Sequence, residues 1–304
     1  MLLTDQHRKQ IAFGYCILFY ALAIFKYYNG LFLFKIKPAL FNTRFDFTTW
    51  ILMKTGIHQW LLNNPSGWLL FDCLFYLFPL VFLVAFLRNK KVNGHSSPIK
   101  LSSRRRRDPH ENIVLIAAVC MLIINWIYIQ CFTLYPTNSI ESYTAWLLFP
   151  VAFLTTSLKG FHLSLHALRY YFLYFFASAG VWKLTQGALS NADQMSGILL
   201  FQHAEYLTSS AGHWYSNFIY SIIHQPLLGY AIYIAGIVLE LSFFIGFFTK
   251  KSDKLLIIGF IFFLVFDILL MRIHYWEVAA FLLTLYYSKY QMPSHINKPI
   301  NYSR

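Results

Sequence analysis

The sequence predicts an all-α membrane protein in which a polytopic bundle of about eight helices crosses the bilayer. Of its 304 residues, 58% are hydrophobic and only 12% are charged, whereas a soluble globular protein has about 25% charged residues. The apolar residues also lie in long blocks. An α-helix satisfies its backbone hydrogen bonds internally, as the membrane interior requires, so these blocks indicate helices rather than loops.

Each predicted span is an apolar run close to the roughly 20 residues that an α-helix needs to cross a bilayer. In chain order the spans cover residues 11–32, 67–87, 112–132, 142–158, 165–183, 227–248, 255–271 and 274–289. The first run has no small-residue cleavage site, which favours a retained helix over a signal peptide. Pro150 is predicted to kink the short fourth span. The short last two spans form either two crossings or one re-entrant hairpin.

The positive charges between the spans predict the orientation. Residues 88–111 form a basic loop with eight Lys and Arg side chains, four of them in the run at 104–107. Such loops stay in the cytoplasm, and alternation then places the N- and C-termini in the cytoplasm as well. The net charge of +13 is therefore read as a topology signal, and no nucleic-acid partner is predicted.

Two outer segments, residues 33–66 and 184–226, contain amphipathic stretches, and the second has no Lys or Arg. Their apolar side chains recur at helical spacing at Phe41, Phe45, Trp50, Met53, Ile57, Trp60 and Leu61, and at Trp214, Tyr215, Phe218, Ile219, Ile222 and Ile223. Helices of this kind either lie flat at the outer interface or pack as ordinary amphipathic helices over the bundle.

The patterns of several common active sites are absent from the sequence, which has no GxGxxG, GxxxxGK[ST], HExxH or GxSxG motif. The four cysteines lie in apolar segments and form no CxxC pair, so neither a disulfide framework nor a zinc site is predicted. His162 and His166 share one helix face, but no carboxylate or thiolate accompanies them. An interfacial histidine pair is therefore preferred to a metal site.

Ionisable side chains within the spans are the candidates for function, because their burial in a bilayer is costly. Lys183 ends an almost unbroken apolar run at residues 170–182. Apolar surroundings disfavour the charged form of an amine, which would make Lys183 a candidate catalytic base. The alternative is a lysine whose stem lies in lipid and whose amine reaches the headgroups. The same placement is predicted for Lys26.

Four further side chains are candidates to support this lysine. Glu240 has no basic neighbour one turn away, so any partner must come from another helix. Asp267 is predicted to pair with the lysine or with Arg272. His203 and His213 lie in the outer segment that follows the lysine, where one of them could relay protons, although each alone is more typical of an interfacial histidine.

The segment LRYYFLYFFASAGVWKLTQGAL, residues 168–189, resembles a helix of the vitamin K-dependent γ-carboxylase-like superfamily, also called the horizontally transferred transmembrane (HTTM) proteins. In that superfamily an aromatic-rich helix ends in small residues and a lysine, and a glycine-containing outer loop follows. The downstream order is also similar, with VLELSFFIGFF, the basic loop TKKSDK and then FIFFLVFDILL. The resemblance covers roughly residues 160–290.

The resemblance implies that Lys183 is a base. In the animal carboxylase the matching lysine starts the reaction of vitamin K hydroquinone with oxygen; the strong base so formed removes a γ-proton from a glutamate, and carbon dioxide adds. For this chain the resemblance implies a quinol or another prenyl lipid as cofactor. The carboxylases often have a histidine where this sequence has Asp267, and no large soluble domain follows residue 290. Carboxylation of a peptide is therefore not expected.

Three functions remain open from these patterns. The first is a quinol-dependent redox or group-transfer enzyme with a pocket between the fifth, sixth and seventh spans. The second is a non-catalytic subunit or accessory protein of a secretion, export or other membrane assembly. The third is a proton-coupled transporter using Glu240 and Asp267, which is disfavoured because no inverted repeat is visible. In each case the chain contacts membrane lipids, and a multi-pass location in a bacterial inner membrane is expected.

Overall fold

The structure, a computed structural model, describes residues 2–36, 47–88, 109–133, 143–155 and 157–291. Most of the predicted basic loop, residues 89–108, and the C-terminal residues 292–304 lie outside the described residues. The chain divides into two compact units: unit 1 comprises Met1–His166 and Tyr287–Arg304, and unit 2 comprises Ala167–Tyr286.

The described part of unit 1 is helical. Its helices are α1 (Asp5–Tyr28), α2 (Leu33–Ile36), α3 (Phe47–Thr55), α4 (Ile57–Asn63), α5 (Pro65–Arg88), α6 (Pro109–Thr133) and α7 (Thr144–Ala152). Thr4 caps α1 by accepting a hydrogen bond from the backbone N–H of His7, while the His7 ring accepts one from the backbone N–H of Thr4. This reciprocal pair satisfies backbone donors that the first helical turn leaves free.

Unit 2 is also helical. Its elements, some of which extend past the unit boundaries, are α8 (Leu158–Thr185), α9 (Gln194–Ser209), α10 (Trp214–Ile223), α11 (Pro226–Ser242), α12 (Ile245–Phe248), α13 (Asp253–Phe266), a π-helix (Asp267–Met271), a 3-10 helix (Trp276–Phe281) and α14 (Leu282–Tyr287). The π-helix continues α13 directly and ends at Arg272, which has a left-handed backbone with φ of 52°. π-Helical turns of this kind are often found at functional sites.

Five helical segments within the described residues are long and apolar enough to cross a membrane. They are Asp5–Ile36, Ser66–Arg88, Asn112–Phe132, Pro226–Phe248 and Asp253–Met271. These segments coincide with the first, second, third, sixth and seventh predicted spans. The prediction of an all-helical protein with several helices able to cross a membrane is therefore confirmed for the described residues.

The other three predicted spans differ from these five in length or in polarity. The predicted fourth span, residues 142–158, contains only the nine-residue α7, which ends two residues after Pro150. The carbonyl of Pro150 accepts a hydrogen bond from Phe153 in the turn that closes this helix. The predicted eighth span consists of the 3-10 helix and the six-residue α14, which are short beside the roughly 20 residues of a crossing helix. The predicted fifth span lies in α8, whose 28 residues are long enough but carry several polar and charged side chains.

Aromatic rings form the core of each unit. In unit 1, Tyr15 stacks on Phe149 with 5.0 Å between ring centroids, and Phe75 stacks on Tyr128 at 3.8 Å. In unit 2, the buried rings of α8, α13 and the α11–α12 turn lie 5.0–5.6 Å apart; they are Phe172, Phe176, Phe243 and Phe260. The edge-to-face and offset contacts in unit 2 lie at distances favoured for aromatic pairs.

The segment 184–226 packs against its own unit. Ile219 and Ile222 of α10 are buried in an apolar cluster with residues of α9 and with Leu270 of the π-helix, whereas Trp214 and Phe218 remain exposed. Of the two arrangements expected for this amphipathic segment, the structure therefore favours a helix with one face packed on protein. In the amphipathic segment at residues 33–66, Phe41 and Phe45 lie outside the described residues.

Candidate functional site

The principal candidate site is an ion pair between the last turn of α8 and the last turn of α11. Lys183 Nζ donates a hydrogen bond of 2.6 Å to Oε1 of Glu240. The prediction that a partner for Glu240 must come from another helix is therefore confirmed. The same contact shows that the Lys183 amine is engaged by protein, which differs from a lysine that only extends towards the headgroups.

A glycine allows the two helices to approach at this point. Gly180 lies one turn before Lys183, and a Cβ atom built there would lie 3.0 Å from the Leu241 side chain and 3.2 Å from Cβ of Glu240. Distances of this size are tighter than ordinary van der Waals contact. The missing side chain at Gly180 thus brings α11 close enough for the ion pair to form.

The two members of the pair differ strongly in burial. The Glu240 side chain is only 3% exposed, whereas that of Lys183 is 34% exposed. Glu240 Oε2 is buried and accepts no hydrogen bond from the described residues. A buried carboxylate oxygen without a donor is costly, so Oε2 is an atom at which a proton or a ligand donor would be stabilised.

A second carboxyl group lies near this pair. Asp267, the first residue of the π-helix, is 9% exposed, and the charges of Lys183 and Glu240 both act on it. Among the described residues Asp267 forms no ion pair with either of its two predicted partners: Lys183 pairs with Glu240, and the Arg272 guanidinium lies 5.0 Å from the ring centroid of Tyr206. The site therefore combines one amine with two acidic groups.

The two candidate histidines have other contacts. His203 is fully buried, and its Nε2 lies 2.6 Å from the carbonyl oxygen of Leu270, so Nε2 carries the proton and ties α9 to the π-helix. His213 caps α10 by accepting the backbone N–H of Tyr215, and its Nδ1 lies 2.9 Å from the Tyr206 hydroxyl. These contacts position α9 and α10, and neither histidine ring forms a hydrogen bond with Lys183.

Arg169 is a buried charge that the sequence patterns did not single out as a candidate site residue. It is 0% exposed and holds Asp253 with two hydrogen bonds of 2.9 and 2.5 Å. A third bond of 2.8 Å reaches the carbonyl oxygen of Gly246. This bidentate geometry suits a guanidinium and fixes α8 to α12 and to the start of α13. The signal available in the sequence was an arginine three residues after His166, directly before the apolar run at residues 170–182.

The histidine pair of α8 forms no metal cluster. The Nε2 atoms of His162 and His166 are 3.1 Å apart, and Nε2 of His162 lies 3.2 Å from the carbonyl oxygen of Tyr290. No group of three or more His, Cys, Asp and Glu side chains with metal-binding geometry occurs where the chain is described.

In unit 1, the prediction that Lys26 extends to the headgroups is wrong. Lys26 is 6% exposed, and its Nζ donates a hydrogen bond of 2.8 Å to the hydroxyl of Tyr143. The same amine lies 4.8 Å from the ring centroids of Phe132 and Tyr143 and 5.9 Å from that of Trp146. Aromatic faces attract a desolvated ammonium, which explains why this lysine turns inwards.

Comparison with known proteins gives no assignment, since no family model, curated protein or solved structure matches this chain.

Proposed function

We propose that the chain is a membrane enzyme that removes a proton from a lipid-soluble substrate, with Lys183 as the base and Glu240 as its proton acceptor. The substrate class, a quinol or another prenyl lipid with an acidic hydroxyl, is the one that the resemblance to the vitamin K-dependent γ-carboxylase-like superfamily implies. The observation that carries the proposal is the contact of 2.6 Å between the partly exposed amine and the buried carboxylate.

The two burial values suggest how the pair would work. The buried carboxylate accepts a proton from the Lys183 ammonium, which leaves a neutral amine and a neutral carboxylic acid. The amine then takes the proton of the substrate hydroxyl, so the products are an ammonium and a substrate oxyanion side by side. The low polarity around Glu240 favours its neutral form during this transfer, and the new ammonium stabilises the oxyanion.

The surface beside Lys183 suits a substrate that arrives from the lipid. Val181 and Trp182 are 39% and 65% exposed, so apolar surface adjoins the amine. Asp267 supplies a second carboxyl group within electrostatic reach of the pair. The aromatic rings of α8 and α13 already fill the core of unit 2. The substrate ring is therefore proposed to bind at the edge of that core, beside Lys183.

The proposed arrangement in the membrane keeps about eight crossings with both termini in the cytoplasm. The expected location is a bacterial inner membrane, and no nucleic acid is expected as a partner.

The alternative function is a non-catalytic subunit of a larger membrane assembly. The exposed rings Trp214 and Phe218 on α10 favour that alternative, since they provide an apolar surface on which another subunit could pack.

A lysine-to-arginine exchange separates these functions. Lys183→Arg retains a positive charge beside Glu240 but cannot act as a base, since a guanidinium does not deprotonate. We expect oxidation of an added quinol to the quinone in nanodiscs, with dissolved oxygen as the two-electron oxidant, to fall by about 10²-fold or more while the unfolding temperature changes little. Quinone absorbance and oxygen uptake follow the reaction. Lys254→Arg, at an exposed lysine of α13, is the matched control. Full turnover in Lys183→Arg would exclude the base role. A wild-type chain that turns over no quinol but holds a stoichiometric partner would favour the subunit.

A further inference from the structure

Unit 1 contains an apolar pocket that has no part in the site described above. The pocket has a volume of about 670 Å³, within the roughly 300–1,000 Å³ range of ligand sites. It lies between α1, α2 and α5, and its lining includes Ile24, Tyr27, Phe34, Cys73 and Tyr76. We propose that this pocket binds one acyl chain of a membrane phospholipid whose phosphate lies beside Lys35.

The carboxylate of Asp72 and the hydroxyl of Tyr20, two polar groups of the lining, have protein partners. The Oδ1 atom of Asp72 accepts hydrogen bonds from the Tyr128 hydroxyl at 2.6 Å and from the backbone N–H of Leu33 at 3.2 Å. Its Oδ2 atom accepts one from the backbone N–H of Phe34 at 3.0 Å. The Tyr20 hydroxyl donates to the carbonyl oxygen of Tyr76 at 2.6 Å. Asp72 and Tyr20 therefore place no demand on a polar ligand, and the rest of the lining is dominated by aromatic rings and aliphatic side chains such as Ile24 and Leu69, which suit a hydrocarbon chain.

The surroundings of the pocket supply such a chain. Its walls belong to Asp5–Ile36 and Ser66–Arg88, two segments able to cross a membrane. Lining side chains such as Ile24 and Leu69 are 59% and 49% exposed, which leaves the pocket open to the surrounding lipid. An empty pocket beside hydrocarbon forfeits dispersion contacts on both sides, whereas an acyl chain that enters it restores them.

Charge at the rim selects the headgroup. Lys35 is exposed, and its amine lies 4.5 Å from the ring centroid of the lining residue Tyr27. This places a positive charge near the mouth of an otherwise apolar pocket, at the end of the segment Asp5–Ile36. An ammonium there attracts the phosphate of a phospholipid, and the acyl chain of the same molecule extends along the tyrosines.

Photolabelling in nanodiscs tests the proposal. The full chain is reconstituted with a phospholipid that carries a diazirine on one acyl chain, and the labelled residues are mapped by mass spectrometry. We expect labelling of Ile24 and Cys73 to exceed several-fold that of Ile116 and Ile123, which are exposed on α6 but do not line the pocket. Equal labelling of the four positions would overturn the proposal, because it would show only general contact with lipid.

Variants of the pocket and of its rim, together with a competing lipid, test the acyl-chain site and the headgroup contact separately. Cys73→Trp fills the pocket and should reduce labelling of Ile24 to the level of α6. Lys35→Glu should lower lipid retention about fivefold by removing the attraction to phosphate, whereas Lys54→Glu, at an exposed lysine that lies beside Trp50 in the same unit, should not. A photoreactive quinone that labels the pocket in place of the phospholipid would assign the site to a ring-bearing lipid and reject our assignment. Quinol turnover at Lys183 is independent of this result.

Discussion

Lys183 and Glu240 depend on their ion pair to different degrees. The lysine side chain is 34% exposed, so its amine can turn to water or headgroups if the carboxylate is removed. The carboxylate is 3% exposed and has no such route. Truncation of the lysine therefore leaves a buried charge without its partner, whereas neutralisation of the glutamate does not.

This asymmetry predicts the order of two stability changes. Lys183→Met should lower the free energy of unfolding by about 1–3 kcal/mol, and Glu240→Gln should lower it by less. The double variant should recover part of the loss, since no unpaired charge remains. Thermal unfolding in detergent micelles measures all three, with Lys254→Met as the exposed control. A larger loss in Glu240→Gln than in Lys183→Met would contradict this account.

Arg169 gives a second prediction at this scale. Its guanidinium bonds both oxygens of Asp253 and the carbonyl of Gly246 at once, which a lysine ammonium on a flexible stem cannot reproduce. Arg169→Lys should therefore cost about 2–3 kcal/mol, the contribution of at least one charged hydrogen bond. Arg88→Lys, at the exposed end of α5, should change stability by no more than about 0.5 kcal/mol. Denaturant titration of both variants checks the difference, and equal stability would show that the bidentate geometry contributes nothing.

The sequence predicted some of these residue contacts and could not predict others. It indicated that Glu240 needs a partner on another helix, because its own helix has no basic neighbour. It could not identify the partner, since residues 183 and 240 are distant in sequence and meet only after the helices pack. Lys26 was placed at the headgroups for the same reason: the rings that surround its amine come from α6 and from the start of α7, far along the chain.

At the scale of elements, the contact of α8 with α11 depends on Gly180. Gly180→Ala would force Leu241 and Glu240 to yield by a few tenths of an ångström. We expect a loss of about 1–2 kcal/mol. The expected loss in activity is larger than this change in stability suggests, because small displacements of catalytic groups are costly.

A second glycine provides the control for this exchange. Gly236 lies on α11, and a Cβ built there meets no atom within 4 Å. Gly236→Ala should therefore be neutral or stabilise by up to about 1 kcal/mol through helix propensity. Unfolding temperatures of the two variants, measured side by side, give the comparison. Equal shifts in both would mean that the close approach at Gly180 does not limit the packing.

Apolar run length predicted the regular helices well and the irregular ones poorly. Five predicted spans are long continuous apolar segments, and backbone hydrogen bonding leaves such runs few alternatives to a helix. The π-helix that begins at Asp267 and the 3-10 helix at Trp276–Phe281 have no comparable signal in apolar periodicity. The π-helix is also held by a contact made only after folding, the bond between His203 and the carbonyl of Leu270.

At the scale of the whole molecule, the number of crossings and the side of each terminus are linked. Both termini lie on one side of the membrane only if the chain crosses an even number of times. The five segments Asp5–Ile36, Ser66–Arg88, Asn112–Phe132, Pro226–Phe248 and Asp253–Met271 would alone place the termini on opposite sides. The predicted eight crossings, which add 142–158, 165–183 and 274–289, place both in the cytoplasm.

Reporter fusions distinguish these arrangements. Green fluorescent protein fused after residue 304 should fluoresce, and alkaline phosphatase at the same position should be inactive, because the positive charges of the loop at 88–111 hold that side in the cytoplasm. Phosphatase inserted after Gly212, in the exposed turn between α9 and α10, should be active. Exchange of the four arginines at 104–107 for glutamine should weaken the contrast between the two sites, whereas exchange of Lys183 should not. An active phosphatase after residue 304, together with fluorescence from a fusion at the N-terminus, would instead require an odd number of crossings.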